Sequence, residues 1–312
     1  MCPITGRRLR STTEVLRRGF DSTVANWPLI LIRIAESIVF LMIIIGSVVA
    51  AIVPIAVAAG LSSFNLRDTD NPGEAIVNQI VDHWMLIVYI LAIITIVITF
   101  LIALHAFVEA GNAQVFVDAE RAGAGKVFSI DRWLYGGRSA WWSIFWIYNV
   151  AWGIAGLILL IPLLITMIGM LIVNDAAPRV AVACGGLGLT ALLLIPIGVI
   201  VAIWTQKAIA VAVASAASAT AALKNGWAQI RADLGRHLAV AFIVFAIAFG
   251  GSMVISTFTM PMSMLRSMSH TPAPFDIAFA PAQIVSSFLQ SIFSAAVGLW
   301  FLASYVGMTE ER

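Results

Sequence analysis

Long runs without charge constrain this chain more than any other feature. Asp, Glu, Lys and Arg are missing from Trp84–Leu104, Ser139–Asn174, Val180–Gln206, Leu238–Leu265 and Ile277–Thr309. Ser37–Val81 is broken only between Arg67 and Glu74. A membrane span needs about 20 consecutive apolar residues. Lipid offers the backbone no hydrogen-bond partner, so each run must satisfy its own amides and carbonyls as a helix. Six spans are expected, near residues 34–61, 84–107, 141–173, 180–206, 238–260 and 282–307. The roughly ten-residue alternating segments of a transmembrane barrel are not found. Composition agrees: 61% of residues are hydrophobic and 11% charged, against about 25% charged in a soluble domain. The first run is too long for the apolar region of a cleaved signal peptide, so it reads as a retained span.

Lys and Arg set the expected orientation. With the N-terminus inside, the inner segments carry fourteen of them and the outer loops three, Arg67, Arg179 and Arg266. This positive-inside bias places both termini in the cytoplasm. Cys2 and Cys184 are the only cysteines; they fall at different depths and support neither a disulfide framework nor a cysteine zinc site.

Three inner segments resemble one another: LRRGFDSTVANW from Leu16, LYGGRSAWWSIF from Leu134 and LKNGWAQIRADL from Leu223. All share Leu-x-x-Gly, and the first and third extend it to Leu-[Arg/Lys]-x-Gly-aromatic. Leu16, Phe20, Val24 and Trp27 follow helical spacing, as do Leu223, Trp227, Ile230 and Leu234. Ser11-Thr12-Thr13-Glu14 has the form of a capping box for the first helix. The expected fold is therefore all-α and polytopic, a single membrane domain over residues 1–312. It comprises three hairpin units (about 11–122, 123–206 and 207–312), each opened by an amphipathic interfacial helix. Such helices lie at headgroup level with basic residues toward lipid phosphates. Arg17, Arg18, Lys224, Arg231 and Arg236 are the candidates for contact with lipid headgroups or a partner. Flanking helices that only brace the bundle would show the same pattern.

The run AVASAASATAALKNGWAQIRADLGRHLAVAFIVFAI, Ala212–Ile247, resembles a recurring element of a broad group of bacterial six-span membrane proteins. That group includes the membrane domain attached to some glycerophosphodiester phosphodiesterases. The resemblance implies a fold; without a phosphodiesterase domain here it carries no activity.

Arg33 and Glu36 lie one helical turn apart near the start of the first span, where opposite charges can pair. Charge within a membrane is a functional-site hypothesis by default. Yet Ser37–Leu61 supplies 25 residues without charge, enough to cross, so the pair also fits a snorkelling position at the boundary. Met260, Met262, Met264, Met268 and His270 form an outer-loop cluster with soft ligands suited to Cu(I), with Asp82-His83 on the same side. Methionine equally fills loose packing at a bundle mouth, and no metal or other cofactor is assigned. His105 and Glu109, followed by Asp118 and Glu120, have the composition of a proton relay, or of a solvated face beyond the second span. Trp27, Trp84, Trp141, Trp142, Trp204 and Trp300 sit near span ends as an aromatic belt. Pro54, Pro162 and Pro196 can kink their spans, and Gly185, Gly186 and Gly188 permit close helix packing.

No phosphate loop, nucleophile elbow or paired metal-ligand helix occurs, so no enzymatic activity is expected. The basic residues follow the membrane edge, which argues against nucleic acid as a partner. Membrane lipids are the expected partners, and a homo- or hetero-oligomer is compatible with the pattern. The leading expectation is a membrane-organising scaffold or accessory subunit; the alternative is a carrier or flippase for a hydrophobic or amphiphilic small molecule.

Overall fold

A computed structural model describes residues 10–58, 84–173, 175–257 and 273–311. Among them are eight α-helices: α1 (Thr12–Ala25), α2 (Pro28–Ala58), α3 (Trp84–Arg121), α4 (Ile130–Ile172), α5 (Ala176–Ser215), α6 (Ala219–Ala232), α7 (Leu234–Thr257) and α8 (Ala273–Glu310). Six of these, all except α1 and α6, are long and apolar enough to cross a membrane. The chain divides into two units, Ala35–His105 and the remainder, Met1–Ile34 with Ala106–Arg312.

Within Ala35–His105, polar side chains fold back on their own helices. Ser47 donates to the Ile43 carbonyl (2.6 Å) and Thr95 to that of Leu91 (2.7 Å). The large apolar side chains here are mostly exposed, as a surface facing acyl chains requires.

The larger unit concentrates its core at one end, where α3, α5 and α8 finish. Ala106, Val108, Ala110, Ala113, Val115, Phe116, Val117 and Ala119 of α3 are buried, as are Ala208–Ala212 of α5 and Leu299, Leu302, Tyr305 and Val306 of α8. We call this end the hub. Charge and hydropathy predict that the second span ends near residue 107, with a solvated face beyond it. Instead α3 continues unbroken to Arg121, and its last turns are among the most buried in the chain. Three segments pack around the hub, and each meets it through a glycine. A methyl group on Gly19 of α1 would lie 2.5 Å from Ser304 Oγ and 3.0 Å from the Ser304 amide nitrogen in α8. On Gly226 of α6 it would lie 3.2 Å from backbone atoms of Ala208 in α5. On Gly136 of α4 it would lie 3.0 Å from the Ala110 carbonyl in α3. The first and third Leu-x-x-Gly segments thus mark close backbone approaches that a larger residue would obstruct, while in the middle one the backbone contact falls at Gly136 and the motif glycine, Gly137, meets the Phe107 ring.

Two of these contacts are alike in detail. The Trp300 indole N–H donates to the Leu16 carbonyl (2.8 Å), and that of Trp204 to the Leu223 carbonyl (2.9 Å). Trp300 meets Phe20 edge to face and Trp204 meets Trp227 likewise, both at 5.8 Å between ring centres. Trp204 and Trp300 therefore bind helix to helix rather than serving only as a belt at the membrane surface.

Short helices standing apart from a span occur at two of the three expected places. After α1 the chain turns at Asn26-Trp27, and Pro28, which has no N–H to leave unbonded, opens α2. After α6 it turns at Asp233, whose carbonyl accepts from His237 Nδ1 (2.8 Å). The middle segment has no such break. Leu134–Gly137 lies within α4, which runs for 43 residues, about 65 Å at 1.5 Å per residue and twice a bilayer core of about 30 Å. Around the Leu134 segment the buried positions are Trp133, Gly136 and Gly137, with Leu134 half-buried.

The expected apolar faces also divide. Leu16 is buried, while Phe20, Val24 and Trp27 are exposed; Leu223 and Ile230 are buried, while Trp227 and Leu234 are exposed. Each helix buries one set of apolar residues and leaves others exposed, Phe20 and Val24 on α1 and Trp227 on α6, with Trp27 and Leu234 exposed just beyond the helix ends. Ser11 caps α1 by accepting from the Glu14 amide (3.2 Å). Pro162 and Pro196 lie inside α4 and α5. Of Gly185, Gly186 and Gly188 in α5, Gly186 is the one in close contact, against Thr166 of α4.

Candidate functional site

The hub gathers ionisable side chains at a density unusual for so apolar a chain. Arg33 reaches Glu109, with Nη2 2.7 Å from Oε2. Glu109 is fully buried and Arg33 half-buried. The contact is an ion pair rather than an aligned hydrogen bond, because Oε2 meets no donor in hydrogen-bond geometry. Gln206 of α5 approaches the other oxygen at 3.4 Å. Within the smaller unit, Glu36 is buried, with Oε1 2.7 Å from His105 Nδ1, and the His105 ring also meets Phe40. Arg33 and Glu36 thus each have a partner in α3.

Two carboxylates at the outermost turns of the hub each hold two arginines. Glu120 receives Arg10 and Arg18, the latter at 3.0 Å. Glu311 receives Arg236 at 2.6 Å and Arg10 at 3.8 Å. Arg10 links the two carboxylates, so residues from both ends of the chain share one cluster. Both carboxylates are shielded from solvent, which makes these pairs worth more than the exposed kind. Arg121 forks onto Glu310 at 2.9 and 3.2 Å and donates to the Ala214 carbonyl. Lys207, fully buried, donates to Thr309 (2.8 Å).

Asn26 joins the first turn to the loop before α4. Its Nδ2 donates to the Ser22 and Gly125 carbonyls, and its Oδ1 accepts from the Val127 and Phe128 amides at 3.0 and 2.9 Å. It is fully buried with every hydrogen-bonding valence used.

Of the basic residues that the sequence marks for headgroup contact, Arg18 and Arg236 point inward to carboxylates, because Glu120 and Glu311 lie at the ends of helices that pack against theirs. Arg17 is exposed, its nearest carboxylate being Asp21 at 3.9 Å, and Lys224 and Arg231 are exposed. His105 lies within hydrogen-bond distance of Glu36, Glu109 and Glu120 are engaged in ion pairs with Arg33 and with the arginines of the hub, and Asp118 accepts from Gln114 (3.1 Å). Met260, Met262, Met264, Met268 and His270 lie outside the described residues, as do Cys2 and Asp82-His83. Among the described residues no three His, Cys, Asp or Glu side chains converge as a metal site. Glu311, Gln206 and Asn26 take part without any sequence motif to mark them.

These features define an all-helical protein with six potential membrane spans and a charged, tightly packed hub at one end. Comparison with protein families, with curated proteins and with solved structures gave no match. The resemblance drawn from Ala212–Ile247 thus has no family match behind it.

Proposed function

We propose that this protein is a non-catalytic membrane-organising scaffold or accessory subunit of a bacterial inner membrane. In this reading both termini are cytoplasmic, and the hub lies at the cytoplasmic surface. The spans form three hairpins, with α1, α6 and the start of α4 as their interfacial elements. The observation that carries the reading is the divided face of α1 and α6. Exposed apolar side chains, Phe20 and Val24 on α1 with Trp27 in the turn after it, and Trp227 on α6 with Leu234 opening α7, stand beside exposed Arg17, Lys224 and Arg231. Side chains of this kind seat themselves among headgroups, and each nearby basic residue adds about 1 kcal/mol of attraction to anionic lipid. The ionisable groups of the hub neutralise one another instead of facing a path for solute.

The test uses the triple variant Arg17→Gln, Lys224→Gln, Arg231→Gln in mixed-lipid nanodiscs, with co-purifying lipid quantified. Anionic lipid should fall severalfold relative to the unmodified chain. Unchanged anionic lipid would overturn the reading.

A second reading, the carrier or flippase, draws on one observation. An apolar cavity of about 190 Å³ lies between α5, α7 and α8, lined by Ile203, Val244, Phe245, Gly298 and Phe301 among others. Fast lipid scrambling in proteoliposomes, slowed by Gly298→Leu, would favour it over the scaffold.

A further inference from the structure

The side chains that line the cavity between α5, α7 and α8 are all apolar. The space exists because small residues occur on all three helices, Ala202 of α5, Ala241 and Ala248 of α7 and Gly298 of α8. A methyl group on Gly298 would meet nothing within 4 Å. Phe245 is exposed, and Val199, Val297 and Phe301 are half-buried, so the cavity is a cleft in the outer face of the bundle rather than a sealed void. Buried water needs polar partners, whereas an apolar cavity of about 150 Å³ stays dry and takes up a hydrocarbon. At about 190 Å³, this one has room for a run of methylenes. It has no room for a partner helix, one turn of which, about 10 Å across and 5.4 Å long, fills roughly 400 Å³. The occupant that fits is a lipid chain.

Positive charge marks the hub end of this cleft. Trp204, next to Ile203 of the lining, donates to the Leu223 carbonyl (2.9 Å) and holds α6 beside that end. Lys224, Trp227 and Arg231 follow at i, i+3 and i+7 on one face of α6, and all three are exposed. Among the described residues neither Lys224 nor Arg231 pairs with a carboxylate, unlike Arg18 and Arg236 of the hub. The lining begins on α7 at Ala241, about 10 Å from Leu234 at 1.5 Å per residue, a distance that a glycerol backbone and the first part of an acyl chain cover. We infer that the cleft seats one acyl chain of an anionic phospholipid, with its phosphate on Lys224 and Arg231 and Trp227 at the glycerol level. The inference rests on the headgroup role proposed above and gives it one fixed lipid site in place of a general attraction to anionic surface. The bound chain supplies the van der Waals contacts that α5, α7 and α8 lack along the cleft.

The experiment is native mass spectrometry of the full chain released from nanodiscs containing equal phosphatidylglycerol and phosphatidylcholine. One phosphatidylglycerol per chain should survive activation that strips the other lipids. It should be favoured over phosphatidylcholine by about tenfold or more, the scale of two basic residues facing an anionic headgroup. Gly298→Leu fills the cleft and should cut the retained lipid severalfold, although Lys224 and Arg231 are intact. Gly250→Leu, at an open position of α7 outside the lining, should leave retention unchanged. Where Gly298→Leu does not fold, Ala248→Leu fills the cleft from α7. Excess lysophosphatidylglycerol, which has one chain, should displace the retained lipid, and free glycerol phosphate should not. Retention that survives both cleft-filling variants, or displacement by glycerol phosphate, overturns the inference. If retention survives them while the Arg17/Lys224/Arg231 variant still sheds anionic lipid, only this site falls. If neither kind of variant sheds lipid, the headgroup role falls with it.

Discussion

Removing Arg33 should harm this protein more than removing its partner, and the two losses should largely cancel when combined. The side chain of Glu109 is 1% exposed and that of Arg33 is 17% exposed, with 2.7 Å between the nearest charged atoms. For charge centres about 4 Å apart, an effective dielectric of about 20 gives roughly 4 kcal/mol of attraction. Arg33→Met leaves a carboxylate with no route to water, and truncation of one partner in such a pair costs about 3–5 kcal/mol. Glu109→Gln leaves the guanidinium, which has some access to solvent, so it should cost less, about 2 kcal/mol. The double variant leaves no unpaired ion, and an apolar replacement of a buried pair is often close to neutral. A double-mutant cycle by reversible unfolding in mixed detergent micelles measures the coupling, expected at about 2 kcal/mol or more. Additivity within about 0.5 kcal/mol would refute the reasoning, since it would mean that the two groups do not sense each other's charge.

The other predictions rest on single contacts. Asn26→Ala strips acceptors from the Val127 and Phe128 amides and should lower stability by about 2–4 kcal/mol, at about 1–3 for each unsatisfied buried group; thermal unfolding followed by tryptophan fluorescence reads it, and a shift under about 0.5 kcal/mol would contradict it. Gly19→Ala meets backbone of Ser304 and should cost about 1–3 kcal/mol, more than Gly226→Ala, whose nearest atoms are farther away; the reverse ranking in the same assay would count against the packing. Trp300→Phe and Trp204→Phe each lose one indole hydrogen bond and should cost about 1 kcal/mol apiece, measured as equal shifts in unfolding midpoint.

The spans were legible because charge is expensive in lipid, and its absence over some 20 residues leaves few alternatives. The hub was not, and the reason lies in α3. Glu109, Asp118 and Glu120 make its end look solvated, although two of those carboxylates are covered by arginines from other helices, Arg33 for Glu109 and Arg10 and Arg18 for Glu120. A single sequence shows the i, i+3 neighbour of Arg33 but not a partner 76 residues away (109 − 33). Leu-x-x-Gly was visible as a repetition, while its physical content, backbone contact at Gly19, Gly136 and Gly226, required the neighbouring helix. In the middle copy even the frame differs: Trp133 and Gly136 are the buried residues there, so matching on Leu134 places the pattern one residue late.

The pairing of α1 with α8 bears on biogenesis. The start of α4 docks on α3 and α6 docks on α5, each on the span made just before it, so both contacts can form as the chain emerges. Helix α1 has no such neighbour. Its carbonyl partner Trp300 lies 284 residues beyond Leu16, and Arg10 meets Glu311 beside the C-terminus. Helix α1 is made before α8, so its Gly19 face stays uncovered until α8 follows. A chain truncated before α8 would keep five of its six candidate spans yet leave α1 without the helix on which it docks.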